Sequence, residues 1–214
     1  MEESTSKEKV LKYVWEALIS MTDQPFPQVD YEKPVFREME ESPDINFAQE
    51  LTAVGGFFIY CENEEEVING IKFLVNDRKW ENIFALEPSI INLLHKAGIN
   101  CTFDHIQLKD TQVGMTGCEA LIARLGSLLV SSGQMAGRQI FVYPDIHIVL
   151  ARSSQLVPDI KDALAKLRKK YEPKMPSMVT LITGPSRTAD IEKTLVMGAH
   201  GPKELYVFLL EDRL

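Results

Sequence analysis

Two apolar runs that alternate with two amphipathic segments constrain this chain to a fold with a parallel sheet. The run Gly56 to Cys61 (GFFIYC) predicts a strand, and residues 82–86 predict a second one. A helix follows the first strand, opened by Asn63 with Glu66 three residues later, and another helix opens at Pro88. Strand, helix, strand, helix in this order indicates right-handed βαβ units of an α/β sheet.

The first 50 residues are expected to be distinct from an α/β domain over residues 51–214. Apolar residues recur at helical spacing over residues 5–21 and predict an amphipathic helix. An acidic stretch with several prolines follows it over residues 22–42. We interpret this stretch either as an extended arm that wraps the domain or reaches a partner, or as a loosely ordered connector.

Composition excludes some classes of protein. The net charge is −8, with −11 in residues 1–66 and +3 in the rest, which disfavours general nucleic-acid binding. No segment approaches the ~18 consecutive apolar residues of a membrane span, so we expect a cytoplasmic protein. Cys61, Cys101 and Cys118 are too far apart for a metal motif, and we predict reduced thiols and no metal.

The middle of the chain is predicted to be partly antiparallel. Thr116 with Glu119 three residues later has the pattern of a capping box, which predicts a helix through Leu125. Strands are expected over residues 126–130, 138–143 and 145–151. The clearest helix is predicted over residues 155–171, with a proline at its start and lysines at its end.

The stretch Thr183 to Pro202 (TGPSRTADIEKTLVMGAHGP) is interpreted as a crossover between two buried strands. Gly184 ends the first strand, Ser186 or Thr188 serves as an N-cap, and Asp190 complements the positive end of the helix. Because a helix N-terminus after a strand favours anions, this turn is a candidate anion site. A well-capped crossover without a ligand explains the same residues, apart from Arg187, which capping does not require.

Three stretches taken together resemble the LUD-domain family, and within it the lactate-utilisation protein C group. They are VGMTGCEALIARLGSLLVSS (113–132), GRQIFVYPDIHIVLA (137–151) and TGPSRTADIEKTLVMGAHGPKELYVFLLE (183–211). The resemblance covers roughly the last half of the chain. At one position the chain departs from the pattern, because Leu125 stands where such proteins often place a hydroxyl residue before the Gly-Ser or Gly-Thr pair. If that hydroxyl binds ligand, the site is altered here.

The resemblance implies a three-layer α/β sandwich with a mostly parallel sheet, similar to the NagB/RpiA/CoA-transferase-like superfamily. It also implies a role in the oxidation of lactate to pyruvate beside iron-sulfur partner proteins. Those partners would carry the clusters, and the cysteine spacing of this chain agrees with a cluster-free member. The resemblance favours a ligand-binding role for Arg187.

Several other residues are candidates for a site. His200 could act as an acid or base or could be structural, and Glu119 could be catalytic, although the capping box accounts for it together with Thr116 and Gly117. Arg138 is a candidate anion ligand, because a buried guanidinium needs a partner.

Two further residues have a functional and a structural interpretation. His147 and Asp145 alternate along one predicted strand, where a metal or proton-relay pair competes with a satisfied, partly buried histidine. Cys118 at a helix N-terminus could have a lowered thiol pKa, or it is an ordinary small residue.

Two hypotheses follow from the sequence. The first is a cluster-free subunit or accessory of an iron-sulfur L-lactate oxidation system that binds a small anionic ligand. The second is a stand-alone transferase, isomerase or cyclo-ligase-like enzyme acting on a CoA ester, a sugar phosphate or a folate. A structural scaffold is the fallback. The sequence leaves the ligand and the oligomeric state open, a homo-oligomer included.

Overall fold

A computed structural model describes residues 5–20, 28–30, 36, 38–104, 106–191 and 194–212, with only the backbone of residues 189–191, 194 and 195. The chain divides into two compact units, Met1–Glu38 and Met39–Leu214. Within the described ranges, every helix is too short or too polar to cross a bilayer.

The first unit contains the predicted N-terminal helix, α1 (Ser6–Ile19). Thr5 caps it, because its hydroxyl accepts from the Glu8 N–H while the Glu8 carboxylate accepts from the Thr5 N–H. No residue of α1 is buried, and Trp15 and Leu18 on its apolar face are exposed. Most of the proline-bearing stretch, with Pro25, Pro27 and Pro34, lies outside the described residues.

The second unit contains four α-helices and twelve strands within the described residues. The helices are α2 (Pro43–Ala53), α3 (Glu64–Arg78), α4 (Pro88–Lys96) and α5 (Ile160–Tyr171). The strands are β1 (Phe57–Cys61), β2 (Ile83–Phe84), β3 (Cys101–Thr102), β4 (Val113–Thr116), β5 (Ala120–Ile122), β6 (Ser127–Ser131), β7 (Ile146–Arg152), β8 (Leu156–Val157), β9 (Val179–Ile182), β10 (Arg187–Ile191), β11 (Thr194–Met197) and β12 (Glu204–Leu210).

A six-stranded sheet in the order β1-β12-β7-β4-β2-β3 forms the centre of this unit. Every neighbouring pair in it is parallel. A second sheet has the order β8-β5-β6-β9, in which β6 is antiparallel to both of its neighbours, and β10 with β11 forms a separate hairpin. The predicted α/β fold with a mostly parallel sheet and a partly antiparallel middle portion is confirmed.

The layers follow from side chains that alternate along the central strands. On β7, Ile146 and Ile148 belong to the core under α3 and α4, whereas Val149 and Ala151 belong to a core shared with α2 and the second sheet. On the far face of the second sheet, Ile122 and its neighbours pack against α5. The order of layers is therefore α3 and α4, the parallel sheet, the second sheet with α2, and α5.

The predicted starts of α3 and α4 are confirmed. The Asn63 side chain accepts from the Glu66 N–H, and Pro88 opens α4. Helix α5 begins at Ile160, later than predicted, because Asp159 is its N-cap and residues 156–157 form β8. Residues 139–141, predicted within a strand, form a single 3₁₀ turn.

The helix predicted after Thr116 is wrong. Residues 120–122 form β5, and Leu121 packs into the middle core while Ile122 packs towards α5. A strand that is covered on both faces is a continuous apolar run, so it lacks the alternation that would distinguish it from a helix. The capping box is also absent, because the Glu119 carboxylate accepts hydrogen bonds from Ser131, Lys170 and Tyr171.

The helix predicted within Thr183 to Pro202 is also wrong. The segment forms the antiparallel hairpin of β10 and β11, in which Thr188 pairs with Val196. Its base is closed by two backbone hydrogen bonds, from the Ser186 N–H to the Pro202 carbonyl (2.8 Å) and from the Gly198 N–H to the Ser186 carbonyl (2.9 Å). The helix N-terminus that was predicted to favour an anion therefore does not form.

Candidate functional site

The carboxyl ends of the parallel strands bring polar residues to one edge of the central sheet. Glu87 follows β2, Gly117 follows β4, Arg152 ends β7 and Glu211 follows β12. In open α/β sheets this edge is the usual place for a ligand, since loops from several strands meet there.

A pocket of about 580 Å³ lies at this edge. We call it the carboxyl-end pocket. The polar side chains that line it come from helix starts, strand ends and α5, and include Glu87, Ser89, Arg152, Gln155, Lys170 and Tyr171. Its size and its few polar groups are typical of small-molecule sites.

Glu87 is the carboxyl group placed most directly in the pocket. It is the N-cap residue of α4, and its Oε2 accepts a 2.7 Å hydrogen bond from the Gly117 N–H. Burial raises the pKa of Glu87, against the lowering effect of that hydrogen bond. A Cβ on Gly117 would lie 3.0 Å from Glu87 Oε2, so the missing side chain allows the close approach. Our sequence analysis missed Glu87, although an acid between a strand and the Pro88 helix start was a usable signal.

Glu119 lies beside the pocket in a nearly closed polar cluster. Its side chain is 3% exposed, and it accepts hydrogen bonds of 2.7 Å each from the Ser131 hydroxyl, the Lys170 ammonium and the Tyr171 hydroxyl. Lys170 and Tyr171 line the pocket, whereas Glu119 does not. Partial burial acts to lower the pKa of Lys170, but the hydrogen bond and charge of Glu119 raise it, so the ammonium stays charged.

Arg152 supplies a second positive charge at the same edge. It is exposed at the end of β7 and lines the carboxyl-end pocket. Burial acts to raise the pKa of Asp212, but hydrogen bonds from Ser154 and Ser153 and the charge of Arg152 lower it.

A smaller cavity of about 230 Å³ lies between the two sheets, and we call it the His147 cavity. The apolar residues Phe141, Leu181, Ile182 and Leu205 line it, together with the polar residues His147, Thr183, Ser186 and His200. It thus brings together three residues predicted as a site: Gly184, Ser186 and His200.

His147 is fully buried. Its Nε2 lies 2.8 Å from Thr116 Oγ1, and within the described part of the chain its Nδ1 has no hydrogen-bond partner. Burial lowers the pKa of His147 to about 4, so the ring is neutral near pH 7. The pair with Asp145 considered from the sequence does not form, because Asp145 instead makes a 3.1 Å ion pair with Lys203.

Arg187, Arg138 and Thr188 are not among the residues that line either pocket. The Arg187 guanidinium donates to the Val54 carbonyl, and that of Arg138 donates to the Ser177 hydroxyl. Thr188 pairs within the hairpin, and the side chain of Asp190 lies outside the described residues. Ligand-binding roles for these four residues stay predictions.

Cys118 does not have the environment that the sequence indicated. It lies in the loop between two strands, and burial raises its thiol pKa, whereas a helix N-terminus would have lowered it. All three cysteines are free thiols. Over the described residues, no group of three or more His, Cys, Asp or Glu side chains is placed to hold a metal ion.

Known proteins share both the sequence pattern and the fold of this chain. The chain belongs to the LUD domain family, whose profile matches residues 46–210. A crystal structure of a DUF162 family protein from Deinococcus radiodurans superposes with a TM-score of 0.60 at 17% identity, over 78% of this chain and 96% of that chain. At this identity the likeness shows a common fold.

The curated relatives carry a more specific name. Lactate utilization protein C of Bacillus subtilis is 34% identical over 107 residues, which are 49% of this chain and 45% of the relative. The protein of that name from Anoxybacillus flavithermus is 33% identical over 111 residues, 51% of this chain and 49% of the relative. The uncharacterized protein YkgG of Escherichia coli is 32% identical over 108 residues, 50% of this chain and 47% of the relative. The matches thus span about half the length of these relatives.

Proposed function

We propose that this protein takes part in lactate utilisation and binds a small carboxylate anion in the carboxyl-end pocket. In this role it is a cluster-free subunit or accessory of a cytoplasmic iron-sulfur system that oxidises L-lactate to pyruvate. The iron-sulfur clusters belong to the partner proteins. The family membership and the names of the relatives support the lactate role.

The observation that carries the ligand proposal is the charge pattern of the pocket. Arg152 and Lys170 line it together and can interact with a carboxylate, while Glu64, which also lines it, is paired with Lys96 at 2.6 Å. Glu87 lines the same space, and burial raises its pKa, which weakens its repulsion of an anion. A small 2-hydroxy or 2-oxo acid fits these groups.

A genetic experiment tests the lactate role. Deletion of the gene in its host is expected to impair growth on L-lactate, and the wild-type gene should restore it. The Arg152→Gln gene is expected to restore growth poorly, whereas Arg168→Gln, a charge removed from an exposed position of α5 outside the pocket, should restore it fully. Normal growth of the deletion strain on L-lactate as sole carbon source would contradict the proposal.

A second function is favoured by the two carboxyl groups at the pocket. Glu87 lines the pocket with a pKa raised by burial, and Glu119 lies beside the pocket, held by three donors. This arrangement supports a stand-alone transferase, isomerase or cyclo-ligase-like enzyme acting on a CoA ester, a sugar phosphate or a folate. Turnover of such a substrate by the purified chain, lost in Glu87→Gln, would favour it. A thermal-shift screen without any response to these compounds would count against it.

A further inference from the structure

The His147 cavity contains a buried hydrogen-bond acceptor that the protein leaves unused. The Thr116 hydroxyl donates to the Gly117 carbonyl at 2.9 Å, so its one proton is committed. With that proton donated to the Gly117 carbonyl, a proton on Nε2 makes the 2.8 Å contact between His147 Nε2 and Thr116 Oγ1, and we assign this tautomer. In the neutral ring this leaves Nδ1 as an acceptor with a free lone pair.

The position of this acceptor connects it with the cavity. Nε2 is engaged by Thr116, which does not line the cavity, whereas His147 itself does. Nδ1 is therefore the ring nitrogen that remains for a molecule in the cavity. Buried polar atoms nearly always have a partner, and within the described chain Nδ1 has none.

The walls of the cavity define the rest of the ligand. Phe141, Ile182 and Leu205 offer apolar surface, and the Phe141 ring centroid is 5.9 Å from that of His147. Among the described residues that line it, none is a lysine or an arginine. The β10–β11 hairpin also occupies the segment predicted as a helix, so the predicted helix N-terminus that would favour an anion does not form.

We propose that the His147 cavity binds a small, largely apolar molecule that donates an O–H or N–H hydrogen bond to His147 Nδ1. Ser186 also lines the cavity, whereas the Thr183 hydroxyl already contacts the Ser127 hydroxyl at 2.7 Å. Gly184, Ser186 and His200, predicted from the sequence as part of an anion site, line the same cavity. It is separate from the carboxyl-end pocket, so its failure would leave the lactate proposal intact.

Phenol and anisole are matched probes for this site. Both are rings of a size that a cavity on the order of 150 Å³ accommodates, and only phenol carries an O–H donor. The full chain with ¹⁵N-labelled histidine is titrated with each compound while the Nδ1 resonance of His147 is followed by NMR. The resonance is assigned by its loss in His147→Gln or, if that variant does not fold, by through-bond correlation in the wild type.

Phenol is expected to move the Nδ1 resonance in a saturable manner, and anisole is not. Ile182→Trp fills the cavity and should weaken phenol binding by about tenfold or more. Val179→Trp is the control, because it adds the same side chain on the opposite, exposed face of β9, outside the cavity. An unmoved resonance with phenol, equal shifts with anisole, or unchanged phenol binding in Ile182→Trp would each overturn the proposal. The first of these outcomes would indicate that ordered water alone satisfies Nδ1.

Discussion

The Gly117 N–H donates a 2.7 Å hydrogen bond to Glu87 Oε2 across thirty residues of sequence. The bond joins the end of β4 to the start of α4 at the carboxyl-end pocket. The carbonyl of the same glycine accepts from Thr116, which in turn contacts His147. A continuous set of hydrogen bonds therefore runs from the pocket to the buried histidine.

Glu87→Gln is expected to stabilise the protein near neutral pH. Burial raises the folded-state pKa of Glu87 above its ordinary value of 4.5, so just above that pH the folded state holds a proton that the unfolded state has released. The free energy of unfolding of the wild type therefore falls as the pH rises above 4.5. Glutamine does not titrate, and its side-chain carbonyl can still accept from the Gly117 N–H. In urea unfolding, the free energy of unfolding of Glu87→Gln should increase relative to that of the wild type as the pH rises from 4 to 7. An equal difference in this free energy at every pH would contradict the raised pKa.

Glu119→Ala is expected to destabilise the chain by about 2 kcal/mol, because it leaves Ser131 and Tyr171 without their shared acceptor. Lys170→Ala is the matched comparison. Its side chain is 58% exposed, and Ser131 and Tyr171 still donate to Glu119 in this variant, so we expect a smaller loss of about 1 kcal/mol. Thermal or urea unfolding of both variants checks the ranking. A larger loss in Lys170→Ala than in Glu119→Ala would be inconsistent with this cluster.

Gly126→Ala should cost much more stability than Gly98→Ala. Both glycines have positive φ, and alanine there costs about 1–2 kcal/mol from backbone conformation alone. A Cβ at Gly126 would in addition run into the backbone of Leu51 in α2, whereas one at Gly98 meets nothing within 4 Å. Denaturation curves of the two variants measure the difference, and similar losses would argue against the close packing of α2.

The buried imidazole should make stability depend on pH below neutrality. The folded-state pKa of His147 is lowered from 6.5 to about 4, so between these values the unfolded state binds a proton that the folded state does not. Stability should therefore fall by up to roughly 3 kcal/mol as pH drops through this window. His147→Gln should remove that part of the slope. An unchanged slope in the variant would show that His147 accepts a proton in the folded state.

The sequence predicted those elements whose boundaries are set by local chemistry. The Asn63 cap and Pro88 define helix starts without tertiary information, and the βαβ order that follows predicts a parallel sheet. Each of these helix starts needs only neighbouring residues to form. The family resemblance is confirmed as well. The stretches that carry it include the central strands β4, β7 and β12, which the family profile also covers.

The site could be predicted only in part, because long-range pairing decides it. Leu121 and Ile122 occupy opposite faces of a strand, which neither residue specifies alone. The hairpin of β10 and β11 depends on cross-strand pairs such as Thr188 with Val196. The partner of Glu87 is thirty residues away, so a search for local motifs passes over it.

Titration calorimetry with L-lactate tests the central claim most directly. The wild-type chain and Arg168→Gln should bind L-lactate with equal affinity, whereas Arg152→Gln should bind about tenfold more weakly or worse, since it removes a cation from the carboxyl-end pocket. Pyruvate run in parallel shows whether the hydroxyl matters. No heat of binding for either acid with the wild type, or equal affinity in all three proteins, would contradict a carboxylate site at this edge of the sheet.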